Sequence, residues 1–81
     1  MIKIEINVDP KEGILDPQGK TVERALKNLS FSDVCQVRIG KHIILDIDLD
    51  NEDLALKEAE KMCKELLANP LIEEFSIKLL K

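Results

Sequence analysis

Apolar and polar side chains alternate at the start of the chain. The apolar positions are Ile2, Ile4, Ile6 and Val8. Because successive side chains of a β-strand point to opposite faces, this period of two predicts a strand with one face in the core and the other towards water or a partner. Pro10 and Gly13 then end the pattern, since proline lacks a backbone N–H and glycine adopts unusual backbone angles.

Two later segments show the period of a helix. The first begins at Asp16-Pro17, because an aspartate can accept hydrogen bonds from the free N–H groups of a first turn and proline fits the first helical position. Its apolar stripe consists of Val22, Ala25, Leu26 and Leu29. The second covers residues 52–68 and ends at Asn69-Pro70, because the residue before a proline is pushed out of the helical region. Its apolar face consists of Ala55, Leu56, Ala59, Met62, Cys63, Leu66 and Leu67.

Two strands are predicted between these helices, at residues 34–39 and 43–49, with Gly40 and Lys41 at the turn. A two-residue loop would place three apolar side chains on the polar face of the hairpin, whereas an odd loop would keep nearly all large apolar groups inside. The three side chains are Val37, Ile39 and Ile44. The sequence leaves two alternatives open: a bulge or odd loop at the turn, or an outer sheet face that is partly apolar and serves as an interface.

A last strand alternates through Phe75, Ile77 and Leu79, so the elements follow the order β-α-β-β-α-β. This order is typical of an α+β, ferredoxin-like sandwich, which is a four-stranded antiparallel sheet with two helices on one face. The 81 residues form one small domain, 1–81, and a domain of this size buries only about 60% of its unfolded surface. Because the core is small and one sheet face is uncovered, we predict a homodimer.

The charge balance excludes some classes of partner. The chain has 12 Lys and Arg residues against 16 Asp and Glu, and it has no Trp or Tyr to stack on bases. A net charge of −4 opposes binding to nucleic acid. No apolar run approaches the roughly 20 residues of a membrane span, and the alternating start is unlike a signal peptide. We therefore expect a cytoplasmic protein that binds neither nucleic acid nor membrane, with Cys35 and Cys63 as buried, reduced thiols.

Few side chains suggest catalysis or metal binding. His42 is the only histidine, so no second imidazole can complete a metal site, and we expect it at the surface or in an interface. The acidic segment 46–53 begins like a calcium loop, but Asn51 replaces the glycine of the sharp turn and Lys57 replaces the bidentate glutamate. We expect Asp50 or Asn51 to cap the second helix instead. The sequence predicts no catalytic residues and no metal site.

Three short segments point to a particular family when their order and spacing are taken together. They are LDPQG at 15–19, followed by Val22 and Ala25-Leu26, then VRIGK at 37–41 and LANPLIEEF at 67–75. This series resembles the PurS family, the small subunit of phosphoribosylformylglycinamidine synthase, over essentially the whole chain. Phe75 stands where an aromatic residue with a hydroxyl is common in the family, a change that removes only one hydrogen bond.

The resemblance implies a non-catalytic role in de novo purine (IMP) biosynthesis. In the family, the large subunit PurL uses ATP and Mg²⁺ to activate the amide of formylglycinamide ribonucleotide, and the glutaminase subunit PurQ releases ammonia from glutamine. The small subunit is a dimer that bridges the two and assists ammonia transfer between them. The resemblance therefore implies PurL, PurQ and a second copy as partners, and no cofactor in this chain.

The positions that match the family motifs are the candidates for contact with partners. They are Asp16, Pro17, Gln18, Gly19, Arg38, Gly40, Lys41 and Asn69. Where such a residue starts a helix, makes a turn or ends a helix, a structural role explains it equally simply. Gln18, Arg38 and Lys41 have weaker structural reasons and are the preferred interface residues, and Arg38 could pair bidentately with a carboxylate of a partner.

An alternative from a different class is a small-molecule regulatory module of ACT type, which shares the β-α-β-β-α-β order. Such a module would bind an amino acid where a helix meets a strand, beside a glycine-rich first turn, for which Gly13 is the candidate. The order of elements cannot separate the two, because this architecture carries many functions.

Overall fold

The computed structural model describes residues 1–80 of the chain. These residues form three strands and two helices in the order β-α-β-α-β. The elements are β1 (Ile2–Pro10), α1 (Pro17–Asn28), β2 (Lys41–Ile47), α2 (Glu52–Met62) and β3 (Glu73–Leu80), with a π-helical turn at Cys63–Leu67 that continues α2. The α+β class predicted from the sequence is confirmed.

β1 is the central strand of an antiparallel sheet with the order β2-β1-β3. Ile6 lies opposite Ile43 of β2 and opposite Ile77 of β3. Since facing residues point to the same side of a sheet, one face is apolar across all three strands, and α2 packs on it. The buried core consists of Ile4, Ile6, Val8, Ala55, Ala59, Cys63 and Ala68. The predicted alternation of β1 is confirmed, because its central apolar positions are fully buried and its polar positions are not.

The second helix follows the prediction at its start but not at its end. The Oδ1 atom of Asn51 accepts a hydrogen bond from the Leu54 N–H at 3.1 Å, so the predicted cap is confirmed. At the other end, the Ala68 N–H donates to the Cys63 carbonyl five residues back, at 3.0 Å. This wider turn shifts side chains around the helix axis. The prediction that Leu66 lies on the inner face is therefore wrong, and its side chain is 82% exposed.

The segment before β2 is not a strand of this sheet. Within residues 1–80 the sheet has three strands rather than the predicted four, and residues 34–40 have no strand partner. The chain passes through Gly40 directly into β2 without a hairpin turn. A two-residue hairpin would have turned apolar side chains to the polar face, and here the Ile39 N–H donates instead to Asp16. Cys35, which the sequence predicts to be buried, is exposed in this segment.

Residues 14–40, which comprise α1 and the segment up to β2, form an arm that extends away from the sheet. Gly19 is the one buried residue of α1, and this helix makes no extensive contact with a strand or with α2. The radius of gyration is 16.1 Å, whereas a compact chain of this length has about 12 Å. The predicted pair of helices on one sheet face is therefore not found within the single chain, where the sheet carries α2 alone.

Candidate functional site

The residues predicted to contact partners surround the place where the arm joins one end of the sheet. We call this region the arm base. Here β1 ends while β2 and β3 begin, so that Val8 pairs with Lys41 and Pro10 pairs with Glu73. The first motif forms the start of α1, the second joins the arm to β2, and the third follows the π-helical turn. Three segments that are far apart in the sequence therefore meet at this end.

Asp16 joins the two ends of the arm. Its Oδ1 atom accepts from the Gln18 N–H at 3.1 Å, which caps α1, and Pro17 occupies the first helical turn. Its Oδ2 atom accepts from the Ile39 N–H at 2.7 Å. The hydrogen bond from Ile39 is the main reason why the pKa of the Asp16 carboxyl lies below its usual value, followed by the bond from Gly19. The predicted helix start is confirmed, and the carboxylate also fixes the far end of the arm.

Two glycines allow backbone segments to approach each other closely. A Cβ on Gly19 would overlap the carbonyl oxygen of Val37, so a side chain here would push the end of the arm away from α1. A Cβ on Gly40 would overlap the Asp9 carboxylate and the carbonyl oxygen of Val8. The turn predicted at Gly40 is absent, and the residue is instead required by contact with β1.

Arg38 holds the arm against the end of β1. Its Nη2 atom donates to the carbonyl oxygen of Pro10, 28 residues away in the sequence. The charge of the guanidinium also helps to lower the pKa of Asp16. Because a guanidinium carries five N–H donors in a planar fork, the exposed side chain keeps N–H donors that its bond to Pro10 does not use.

Lys41 connects the start of β2 to the end of the second helix. Its Nζ atom donates to the carbonyl oxygen of Leu67 at 3.3 Å and lies 4.0 Å from Oε1 of Glu73. The helix ends at Leu67, so no N–H of a further helical turn binds its carbonyl, which is free to accept from Lys41. Lys41, like Arg38, therefore has a structural contact that its place in the sequence did not suggest.

Asn69 organises the turn between the second helix and β3. Its Oδ1 atom accepts from the Leu71 N–H at 3.1 Å, and its own N–H donates to Oε1 of Glu73 at 2.8 Å. The Nζ atom of Lys11 donates to the Pro70 carbonyl at 2.7 Å and ties this turn to the end of β1. Sequence reasoning missed Glu73 and Lys11. Glu73 lies within the third motif, whereas nothing near Lys11 in the sequence indicates a partner 59 residues away.

Two open cavities flank the base of the arm. The larger has a volume of about 740 Å³ and lies between the loop at 12–16, α1 and residues 35–38, with Lys20 and Arg38 in its walls. The smaller, about 480 Å³, is an apolar groove formed by α1 and the Ile39 side chain. Gln18 borders this groove with an exposed side chain. Of the preferred interface residues, Gln18 is the one to which the structure gives no side-chain hydrogen bond within residues 1–80.

The other reactive side chains lie apart from this region. His42 is exposed, as predicted, on the open face of the sheet, with its Nε2 atom 3.0 Å from Oε1 of Glu5. The hydrogen bond with His42 is the main cause that lowers the pKa of Glu5. Cys63 is buried in the core, and burial raises the pKa of its thiol. Within residues 1–80, no group of three or more His, Cys, Asp or Glu side chains could hold a metal ion.

The structure defines a small α+β chain in which side chains of the sequence motifs bind backbone groups at one end of the sheet. The family model described as "PurS: Phosphoribosylformylglycinamidine (FGAM) synthase" matches residues 3–81. The chain is 41% identical to the PurS subunit of Methanocaldococcus jannaschii over 81 residues, which cover 100% of this chain and 98% of the relative. This chain belongs to the PurS family.

Solved structures share the elongated form as well as the sequence. A Bacillus subtilis PurS crystal structure is 38% identical, with a TM-score of 0.88 and coverage of 100% of both chains. A chain in the structure of PurLQS from Thermotoga maritima is 35% identical, with a TM-score of 0.83 and coverage of 98% of this chain and 96% of that one. Because coverage is nearly complete in both, the likeness includes the arm and not only the sheet with α2.

These comparisons give no support to the ACT-type alternative, since the family model and the relatives all concern PurS. The structure places Gly13, the glycine named for that alternative, in the wall of the larger cavity. Among the described residues, neither helix is long and apolar enough to cross a membrane.

Proposed function

We propose that this chain is the small, non-catalytic subunit of a phosphoribosylformylglycinamidine synthase. In this proposal it bridges the glutaminase PurQ and the ATP-dependent synthetase PurL in cytoplasmic purine (IMP) biosynthesis. The observation that carries the proposal is the full-length match to PurS chains, one of which is part of the PurLQS structure of Thermotoga maritima. The chemistry of the arm base agrees, because its side chains bind backbone groups rather than converge on a reacting atom.

The proposed contact surface for the larger subunits is the arm base. Gln18, Arg38 and Lys41 are exposed there, and the two basic side chains keep donors beyond those used within the chain. Two apolar side chains close to Asn69 in the sequence, Leu66 and Leu71, are 82% and 81% exposed. Large exposed apolar groups next to anchored polar ones are typical of protein interfaces.

The proposal includes assistance with ammonia transfer. Ammonia reacts as the neutral amine, so its route must exclude bulk water and acids that would protonate it. Hydrogen bonds lower the pKa of Asp16, so this carboxyl stays ionised at neutral pH and offers no proton. The Glu73 carboxylate accepts a hydrogen bond from the Asn69 N–H. A small subunit with engaged carboxylates can seal a gap between larger proteins without trapping the amine.

The cofactors of the reaction belong elsewhere in this proposal. PurL supplies the site for ATP and Mg²⁺, and the small subunit holds neither. Its contribution is therefore to the arrangement of the two active sites and not to the phosphoryl chemistry.

We also propose a homodimer, because the single chain leaves apolar surface uncovered on two sides. On the arm, Leu29 is 67% exposed and Phe31 is 57% exposed. On the sheet, the inner residues of β2, such as Leu45, are only partly buried, whereas Ile4, Ile6 and Val8 of β1 are fully buried. Full burial of one large apolar side chain contributes about 1.5–3 kcal/mol. Exchange of arms between two copies would cover both surfaces.

The same exchange would supply the predicted fourth strand. β2 is an edge strand, and residues 34–40 have no strand partner within residues 1–80. If this segment of one copy pairs with β2 of the other, each sheet reaches four strands and carries two helices. Because no turn then joins the paired strands, residue 39 can face residue 43 of the other copy, which keeps the apolar side chains inside. Sedimentation at micromolar concentration is expected to return twice the 9.2 kDa chain mass, and a lone 9.2 kDa species would contradict the dimer.

Reconstitution with purified PurL and PurQ tests the proposed function. Formation of formylglycinamidine ribonucleotide is measured with glutamine and, separately, with free ammonia as the nitrogen source. We expect turnover from glutamine to require this chain and turnover from ammonia to depend on it much less. The Lys78→Ala variant, changed on the open sheet face, serves as a control that keeps activity. Equal turnover from glutamine with and without the chain would contradict the proposal.

A further inference from the structure

The two ends of the arm are fastened to each other and to the sheet. We call Asp16, Gly19 and Arg38 the arm clip. Asp16 binds the Ile39 N–H at 2.7 Å, Arg38 binds the Pro10 carbonyl, and Gly19 leaves room for the Val37 carbonyl. The arm therefore leaves the sheet and returns to it at the same place, beside the end of β1.

The arm clip uses groups that a folded-back arm would need. A hairpin between residues 34–39 and β2 would recruit the backbone N–H and C=O groups of the segment into ladder bonds. In the structure the Ile39 N–H is already bound to a carboxylate oxygen. Bonds to charged groups are among the stronger ones that proteins make, so opening this contact opposes the hairpin.

The contact of Gly40 with β1 is a second feature that opposes the hairpin. Gly40 lies so close to Asp9 and Val8 that no Cβ fits, which fixes the direction in which the arm enters β2. A tight turn at Gly40 and Lys41 would require this contact to open. It would also place apolar side chains on the polar face of the hairpin.

We propose that the arm clip holds α1 and residues 34–40 as one rigid unit directed away from the chain's own sheet, and thereby commits the arm to a second copy. This inference rests on the proposed homodimer and adds the residues that decide it. Asp16, Gly19 and Arg38 act as positioning residues: they need not contact the second copy, because they set where the arm points.

The Gly19→Ala variant tests the arm clip, because it is expected to favour the helix α1 while weakening the dimer. Alanine has a higher helix propensity than glycine, so α1 is expected to keep or gain helicity, measured by far-UV circular dichroism. The new Cβ overlaps the Val37 carbonyl and separates the ends of the arm. Sedimentation equilibrium is expected to give a dimer dissociation constant raised by about tenfold or more. The matched control is Lys20→Ala, an exposed position in the same turn, which is expected to leave the constant unchanged.

Asp16→Ser provides a second, independent variant. Serine caps helices about as well as aspartate, but one hydroxyl cannot occupy both carboxylate oxygen positions, so the cap is kept and the bond to Ile39 is lost. Hydrogen exchange at the Ile39 amide is expected to accelerate in this variant, together with the weaker dimer. Unchanged dimer affinity in both variants, with helicity retained, would overturn the arm clip while leaving the dimer intact.

If sedimentation shows that the wild type is a monomer, the proposed homodimer is wrong. The same samples still test the arm clip. Small-angle X-ray scattering of the monomers would then report the direction of the arm. A wild-type radius of gyration close to 16.1 Å and a clearly smaller value for both variants would support the arm clip. Equal values for wild type and variants would overturn it.

Discussion

Single residues at the arm base make contacts with distant parts of the chain that the neighbouring sequence does not indicate. Asp16 begins a helix, as predicted, and also fixes an amide 23 residues further along the chain. Arg38 and Lys41 were preferred as interface residues because they lacked structural reasons, yet each binds a backbone carbonyl 26 or more residues away. Capping is local and can be read from adjacent residues, whereas these long-range contacts depend on how the segments pack.

Acid is expected to lower the free energy of unfolding, partly through protonation of Asp16. The pKa of this carboxyl is lower in the folded chain than its ordinary value. Its contribution to the free energy of unfolding is therefore present at neutral pH and is lost as the pH falls through the folded pKa. Urea unfolding should show that Asp16→Asn is less stable than wild type at neutral pH, and that the difference shrinks towards about pH 2.

Asp33→Asn, changed at an exposed carboxylate of the same arm, is the control for this titration. It is expected to unfold like wild type at both pH values. A wild-type advantage over Asp16→Asn that stays constant or grows as the pH falls would contradict the role given to Asp16.

At the scale of elements, the sequence predicts the strands and helix ends that depend on neighbouring residues. It does not predict the strand pairing that depends on distant segments. The alternation of β1 and the caps of both helices are confirmed, because period and capping chemistry are local. The fourth strand is not observed in the single chain, since a pattern of apolar residues specifies a strand but not which strand it pairs with. The π-helical turn at Cys63–Leu67 left no signal in the apolar pattern, and Leu66 was consequently placed on the wrong face.

The packing of α2 on the sheet gives a prediction about the core. Ala59, on the inner face of this helix, is fully buried in the core. Ala59→Leu is expected to destabilise the protein by about 1–3 kcal/mol through overpacking. Glu58→Leu, on the exposed side of the same helix, is the control and should change stability by less than about 0.5 kcal/mol.

Both variants are compared with wild type by chemical denaturation at one protomer concentration, because association would otherwise shift the apparent stability. If Ala59→Leu unfolds at the same denaturant concentration as wild type, α2 does not pack as described.

At the scale of the whole molecule, the chain is elongated, with a radius of gyration of 16.1 Å. The single chain buries one helix against one sheet and leaves an arm whose apolar stripe is exposed. The family model and a relative within the PurLQS structure connect this shape to a multi-subunit synthase. The three sequence motifs indicated the family directly, but the elongated shape could not be predicted, because folded-back and exchanged arms share the same local pattern.

The proposed function requires that this chain couples ammonia release on PurQ to ammonia use on PurL. The most direct test is the ratio of glutamate formed to formylglycinamidine ribonucleotide formed, measured in the same reaction of PurL and PurQ with and without the chain. We expect a ratio close to one with the chain, because ammonia is delivered rather than lost to water. Without the chain we expect a clearly higher ratio or no product. A ratio that is the same in both reactions would contradict the proposed role in ammonia transfer.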